Sequence, residues 1–123
     1  MTKKTIIQIL FLILVSSALY CQDLKGQWNG TLNVKNTQFR LIFHISKNDT
    51  LYKVTMDSPD QNVNDIVVTA TNFNYPNVRF EILTIGAVYE GVMSDNRITG
   101  KWIQSGQTFP MILLKAENEF NPK

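Results

Sequence analysis

From about residue 24 onward, apolar and polar side chains alternate along the chain. Turn-forming residues interrupt this alternation roughly every ten positions, which is the spacing of short strands in a sandwich or barrel. A period of two is typical of strands that bury one face. The pattern therefore predicts an all-β domain, a single small antiparallel barrel of about eight strands.

The predicted strands follow one another through short turns, at residues 35–37, 47–49, 57–61, 72–77, 95–96 and 105–106. Strands joined in sequence order form an up-and-down meander, and closing the meander into a barrel removes its exposed edges. The alternation places Trp28, Tyr89 and Trp102 on the inward faces, together with Gly30, Gly91 and Gly100.

A barrel of this size holds either its own side chains or one small ligand. Large rings facing glycines favour a filled interior. The alternative is a cavity lined by Trp28, Tyr89 and Trp102.

Residues 1–21 have the composition of a secretory signal peptide. Lys3 and Lys4 precede an apolar stretch, residues 6–15, and small residues follow it. We therefore expect a secreted or periplasmic protein with a barrel domain at 22–116 and a polar tail at 117–123. A lipid-modified Cys21 would instead anchor the protein to a membrane, but the bulky Tyr20 before it argues against that alternative.

Removing the leader changes the charge balance. The whole chain has 12 basic and 10 acidic side chains. Loss of Lys3 and Lys4 leaves ten of each, so no basic surface is expected to attract nucleic acid or an anionic membrane. Cleavage after Cys21 also removes the only cysteine, so we expect the domain to have no internal disulfide.

The residues of the common catalytic sites are missing from the sequence. It contains no Gly-x-Ser-x-Gly motif, and its one histidine, His44, is predicted to face outward as a surface residue. Zinc would need more ligands than one histidine. Asp60, Asn62 and Asn64 resemble the start of a calcium loop, but Asp65 and Thr71 stand where that loop needs Gly and Glu. We expect no enzyme activity, no metal and no cofactor.

Two surfaces are candidates for binding. The first is one rim of the barrel, because alternate strands of a meander end on the same side. Polar residues of this rim could bind a ligand or a partner loop. The alternative is that they stabilise their own turns. They are Asp57, Ser58, Asp60, Gln61, Gln104 and Gln107.

The second surface is an apolar patch on the outer wall, which we expect to be contiguous because its strands are neighbours. Contiguous exposed apolar area is typical of interfaces. The alternative is that the tail covers this patch, whose members are Val88, Val92, Ile103, Ile112 and Leu114.

Several fragments in order resemble a known domain: Gly26-Gln-Trp-Asn-Gly30, Asp57-Ser-Pro-Asp-Gln61, Tyr89-Glu-Gly91, Gly100-Lys-Trp-Ile-Gln104 and Phe109-Pro-Met111. The chain resembles the N-terminal domain that precedes the catalytic domain of secreted bacterial α/β-hydrolases of the esterase type. The catalytic residues of that family lie in the part that follows, so none can be assigned here. A weaker similarity, the Gly-x-Trp of the first strand, is to lipocalins and other small barrels.

The resemblance implies a non-catalytic accessory module that docks on an α/β-hydrolase or on a second copy of itself. The alternative is a lipocalin-like binder of a small apolar molecule. A third interpretation is a fragment of an esterase whose gene is interrupted.

Overall fold

The computed structural model describes residues 23–116, so the predicted signal peptide, Cys21 and the tail 117–123 lie outside the described residues. Nine strands follow one another in this part of the chain: β1 Gly26–Val34, β2 Thr37–Asn48, β3 Leu51–Ser58, β4 Val63–Val67, β5 Ala70–Asn74, β6 Asn77–Ile82, β7 Ala87–Ser94, β8 Arg97–Gln104 and β9 Gln107–Lys115. No element within residues 23–116 is a helix long and apolar enough to cross a membrane.

The strands form one curled, half-barrel sheet in the order β4-β3-β2-β1-β9-β8-β7-β6-β5. Strands that are consecutive in the chain pair antiparallel, except β4 and β5, which form the two ends of the sheet. Strand β1 also pairs with β9, with Trp28 opposite Lys115. This order confirms the predicted all-β fold and its meander, because the first strand meets the last.

The number of strands and the closure need correction. The predicted fourth strand is bent at Val68–Thr69, so its two halves are separate strands, β4 and β5. Its first half pairs with β3 and its second half with β6. At the bend, Val68 donates its N–H to Val54 in β3 (3.0 Å), and Thr69 donates to Glu81 in β6 (2.7 Å). Among the described residues, backbone hydrogen bonds therefore connect the two ends of the sheet only at this two-residue link, and the rings of Tyr52 in β3 and Phe73 in β5 pack edge to face beside it.

The bend also shifts the alternation by one position. Val68 is buried as expected, but Ala70 is exposed, and Thr71 and Phe73 take the inward positions instead. A one-residue shift moves every following side chain to the other face, because side chains in a strand alternate between faces.

The interior is filled by an aromatic cluster made of Phe43, Phe80 and Tyr89. The ring centroids of Phe43 and Phe80 lie 5.0 Å apart, and those of Phe80 and Tyr89 lie 6.2 Å apart. A Cβ atom on Gly100 would meet the Glu90 carbonyl oxygen and the Gly91 Cα atom of β7 first, and then Cζ of Tyr89 at 2.8 Å. The glycine thus allows both the close approach of β7 and the position of the ring that faces it, as the sequence pattern predicts.

The two ends of the barrel differ. At the end where β1 begins, Leu24 and Trp28 are fully buried, and the Trp28 indole N–H donates to the Leu24 carbonyl at 2.9 Å. At the opposite end, which we call the rim, the chain forms two short 3-10 turns, Pro59–Gln61 and Leu83–Ile85. Each turn ends in a residue with a left-handed backbone conformation, Asn62 in the first turn and Gly86 in the second. These turns replace strand pairing at the rim and frame the site described below.

Candidate functional site

A pocket of about 700 Å³, the rim pocket, opens between β4 and the Leu83–Ile85 turn. Here β4 pairs with β3 on one side and has no strand on its other side. The volume lies in the range of small-molecule pockets, about 300–1,000 Å³. The pocket lies where the outer edge of β4 is unpaired, since in the described residues only Val68–Thr69 joins the two ends of the sheet by backbone hydrogen bonds.

The inner walls of the rim pocket are apolar. They use the last two inward positions of β1, Leu32 and Val34, and the first two of β2, Phe39 and Leu41, with Met56 of β3 beside them. Two inward positions on one strand span about 7 Å, from the strand rise of 3.3 Å per residue. The apolar lining on these two strands is therefore short.

Exposed aliphatic residues surround the opening. Val63 and Val67 of β4 line the pocket and are exposed, and Leu83 on the facing turn is exposed as well. An apolar entrance continuous with an apolar interior is the arrangement expected of a site for a water-insoluble group.

Three of the predicted rim residues supply the polar part of the pocket. Ser58 is 1% exposed, and its hydroxyl donates to Oε1 of Gln61 at 2.7 Å. Gln104 accepts from the Trp102 indole at 3.0 Å and donates to the Ile85 carbonyl at 2.8 Å. These contacts hold Ser58, Gln61 and Gln104 in place at the mouth.

The other predicted rim residues do not reach the pocket. Asp60 faces outward, and both of its oxygens contact the Arg40 guanidinium, at 2.7 Å for the shortest pair. Gln107 pairs with Gln104 through the backbone and is exposed. The predicted rim is therefore real as a place in the fold, but strand alternation divides its residues between the interior and the outer surface.

Asp57 also faces outward, where it stabilises the turn that follows β3. Its carboxylate accepts the backbone N–H of Asp65 at 2.9 Å and the Nε2–H of His44 at 2.9 Å. These two hydrogen bonds, first that of Asp65 and then that of His44, lower the pKa of Asp57 below its ordinary value. His44 lies on the outer surface as predicted, but it has a carboxylate partner that the sequence did not indicate.

The three residues predicted to line a cavity lie in the packed interior. Trp28, Tyr89 and Trp102 are buried, and none of them is in the lining of the rim pocket. The Tyr89 hydroxyl donates to the Met111 carbonyl at 2.9 Å, and burial raises the pKa of this phenol. The cavity therefore lies beside β1 to β4 rather than around these rings.

The predicted outer patch is divided by the sheet register. Val88 pairs with Ile103, whereas Val92 lies four residues further along β7, where Val92 and Ile112 stand on either side of Thr99. A charged pair, Glu90 and Lys101, lies between the two groups. Val92, Ile112 and Leu114 are 51%, 42% and 50% exposed, so the more exposed part of the patch lies on the far side of this pair from Val88 and Ile103.

The geometry separates the residues that hydrolytic chemistry would need to combine. His44 and Asp57 form a hydrogen-bonded pair on the outer surface, but Ser58 points to the opposite face, as the next residue in a strand must. Within residues 23–116, no group of three or more His, Cys, Asp or Glu side chains could hold a metal ion. The site as described can bind and orient a molecule through apolar walls and amide groups.

Comparisons with protein-family models, with curated proteins and with solved structures found no match to the chain.

Sequence reasoning missed the apolar walls of the rim pocket. A signal was nevertheless present: extending the alternation of β3 and β8 by one step puts Ser58 and Gln104 at inward positions. Polar residues at the inward ends of two strands indicate that the core stops before the rim.

Proposed function

We propose that the protein binds a small apolar or amphipathic molecule in the rim pocket without transforming it. The observation that carries the proposal is the pocket of about 700 Å³, with apolar walls and a polar mouth held by Ser58 and Gln104. This corresponds to the lipocalin-like alternative of the sequence analysis. It is favoured over a docking module because the interior is open at the rim.

The test measures binding of phenylnaphthylamine, an uncharged dye whose fluorescence rises in apolar surroundings. We expect saturable binding to the purified protein. Val34→Trp should abolish it, because the larger ring fills the pocket from β1. The matched control is Val92→Trp, the same change at an exposed position of the outer wall, which should bind as the parent does.

Circular dichroism of each variant separates loss of the pocket from loss of the fold. Should Val34→Trp not fold, Ile85→Trp fills the pocket from the facing turn. Unchanged dye binding in a folded pocket-filling variant would contradict the proposal.

We propose a non-catalytic role because, in the described part of the chain, the hydroxyl groups beside His44 make no hydrogen bond to its ring. Thr55 lies opposite His44 without such a bond, and Ser46 donates to the Lys53 carbonyl instead. Hydrolysis of a simple activated ester by the purified protein should be undetectable. Sustained turnover that is lost in His44→Ala would show that the protein is an enzyme.

A second candidate function is favoured by the exposed side chains Val92, Ile112 and Leu114. Three large aliphatic groups exposed close together on β7 and β9 support the expected docking of a separate α/β-hydrolase, or of a second copy. Export to the periplasm or medium, expected from residues 1–21, is compatible with either function.

A further inference from the structure

The mouth of the rim pocket offers hydrogen bonds in both directions. Ser58 is buried and uses its proton on Oε1 of Gln61, which holds the amide in place. Gln61 is exposed, its Oε1 keeps a second lone pair, and within residues 23–116 its amide nitrogen donates to no protein group. A bound molecule can therefore both donate to and accept from Gln61.

The charges around the mouth are unfavourable to an anion. Arg40 is held on the outer surface by Asp60, which occupies its guanidinium through three contacts of 2.7–3.3 Å. Among the residues lining the pocket, all of them within the described part of the chain, Asp65 is the only ionisable one. A carboxylate head group would thus lose its water beside Asp65 and gain no cation.

A cation gains little at the same mouth. Asp65 is exposed, and the interaction of an exposed carboxylate with a charged partner is weakened by water and salt. An ammonium group in the pocket would also face the donating amide of Gln61. An uncharged head group that donates and accepts meets neither difficulty.

We propose that the rim pocket is selective for uncharged amphiphiles with a short alkyl or aryl part and a hydroxyl or primary amide head group, and discriminates against carboxylates. This inference rests on the proposed function, since it concerns the same pocket. The apolar lining covers only two inward positions on β1 and two on β2, about 7 Å of strand, which limits the length of the apolar part that these strands can cover.

The experiment compares octanol, octanoate and octylammonium as competitors of the bound dye at neutral pH. We expect octanol to compete at concentrations at least about tenfold lower than octanoate does, because a carboxylate would leave its charge unpaired. Octylammonium should compete more weakly than octanol.

Two variants test the assignment of the head-group site. Asp65→Asn removes the carboxylate from the lining. It should narrow the difference between the concentrations at which octanol and octanoate displace the dye. Asp49→Asn is the matched control, because Asp49 lies in the turn after β2 at the other end of the barrel and should leave all three competitors unchanged. Gln61→Leu should weaken the binding of octanol, so that more octanol is needed to displace the dye, and should leave the binding of the dye itself unchanged.

The outcomes are distinct. Octanoate competing as well as octanol would overturn the inference while leaving the pocket as a binding site. Octylammonium competing best, with the preference lost in Asp65→Asn, would show that the site selects cations. Failure of the dye itself to bind would instead contradict the proposed function.

Discussion

The aromatic cluster and the rim pocket share one barrel interior but fill it differently. In the cluster, Phe43, Phe80 and Tyr89 are fully buried, and the Tyr89 ring occupies space that Gly100 leaves free. At the rim, Ser58 and Gln104 occupy inward positions, and the space beside them stays open. The same sheet curvature thus yields a solid core or a pocket, depending on the side chains at a few inward positions.

The largest difference between the two regions should appear in the free energy of unfolding when an aromatic side chain in each is truncated to alanine. Phe43→Ala removes a fully buried ring stacked on Phe80 and should lower the free energy of unfolding by about 3–5 kcal/mol. Phe39→Ala removes a half-buried ring from the pocket wall, so it should lower the free energy of unfolding by less, roughly 1–2 kcal/mol. Urea denaturation measures both values, and equal losses would mean that the rim is packed as tightly as the cluster.

A smaller effect should appear when the rim is titrated with acid. The pKa of Asp57 is lowered in the folded protein, so its stabilising contribution is present above its unfolded pKa of about 4. This contribution is lost as the pH falls through the lower, folded pKa. Asp57→Asn should therefore cost stability near neutral pH, and that cost should shrink as the pH falls below about 4 and disappear below the folded pKa of Asp57.

Urea midpoints of the parent and Asp57→Asn at several pH values provide the measurement. Asp60 also has a lowered pKa, caused by Arg40, so the parent alone would not isolate Asp57. A constant difference between the two proteins at every pH would show that the hydrogen bonds from Asp65 and His44 do not hold the turn.

The outer wall should give the smallest effect on stability and serves as the reference for both regions. Changing Val92 and Ile103 to Lys should alter the free energy of unfolding by only about 0.5 kcal/mol at each position. The same changes should weaken any association with a hydrolase or a second copy. Analytical ultracentrifugation at high concentration checks this, and a parent protein that stays monomeric with no recovered partner counts against the docking role.

Much of the fold follows from the alternation of side chains. The period of two predicted the inward faces of Trp28, Phe43 and Met111, and the short turns predicted which strands are neighbours. The bend at Val68–Thr69 was not predicted, because a local phase shift depends on hydrogen bonds to Val54 and Glu81, which are distant in sequence. The exposed Ala70 is the visible consequence of this bend.

The site was predicted only in part. Topology brought Ser58, Gln61 and Gln104 to one rim, as expected from alternate strands ending together. The pairing of Asp60 with Arg40, 20 residues away, and of Asp57 with His44 could not be read from local patterns. These pairings hold the charges of Asp60 and Asp57 on the outer surface, so the charge at the mouth became clear only from the three-dimensional arrangement.

The pairing of β1 with β9 fixes the orientation of anything joined to the domain. Ala116 donates its N–H to the Gln27 carbonyl at 2.8 Å, so both ends of the described chain emerge side by side, at the pole opposite the pocket. A tether or fusion attached at either end would therefore leave the binding mouth facing outward and unobstructed. The same adjacency makes the domain suited to circular permutation, with new termini in the exposed turn at Lys35 and Asn36.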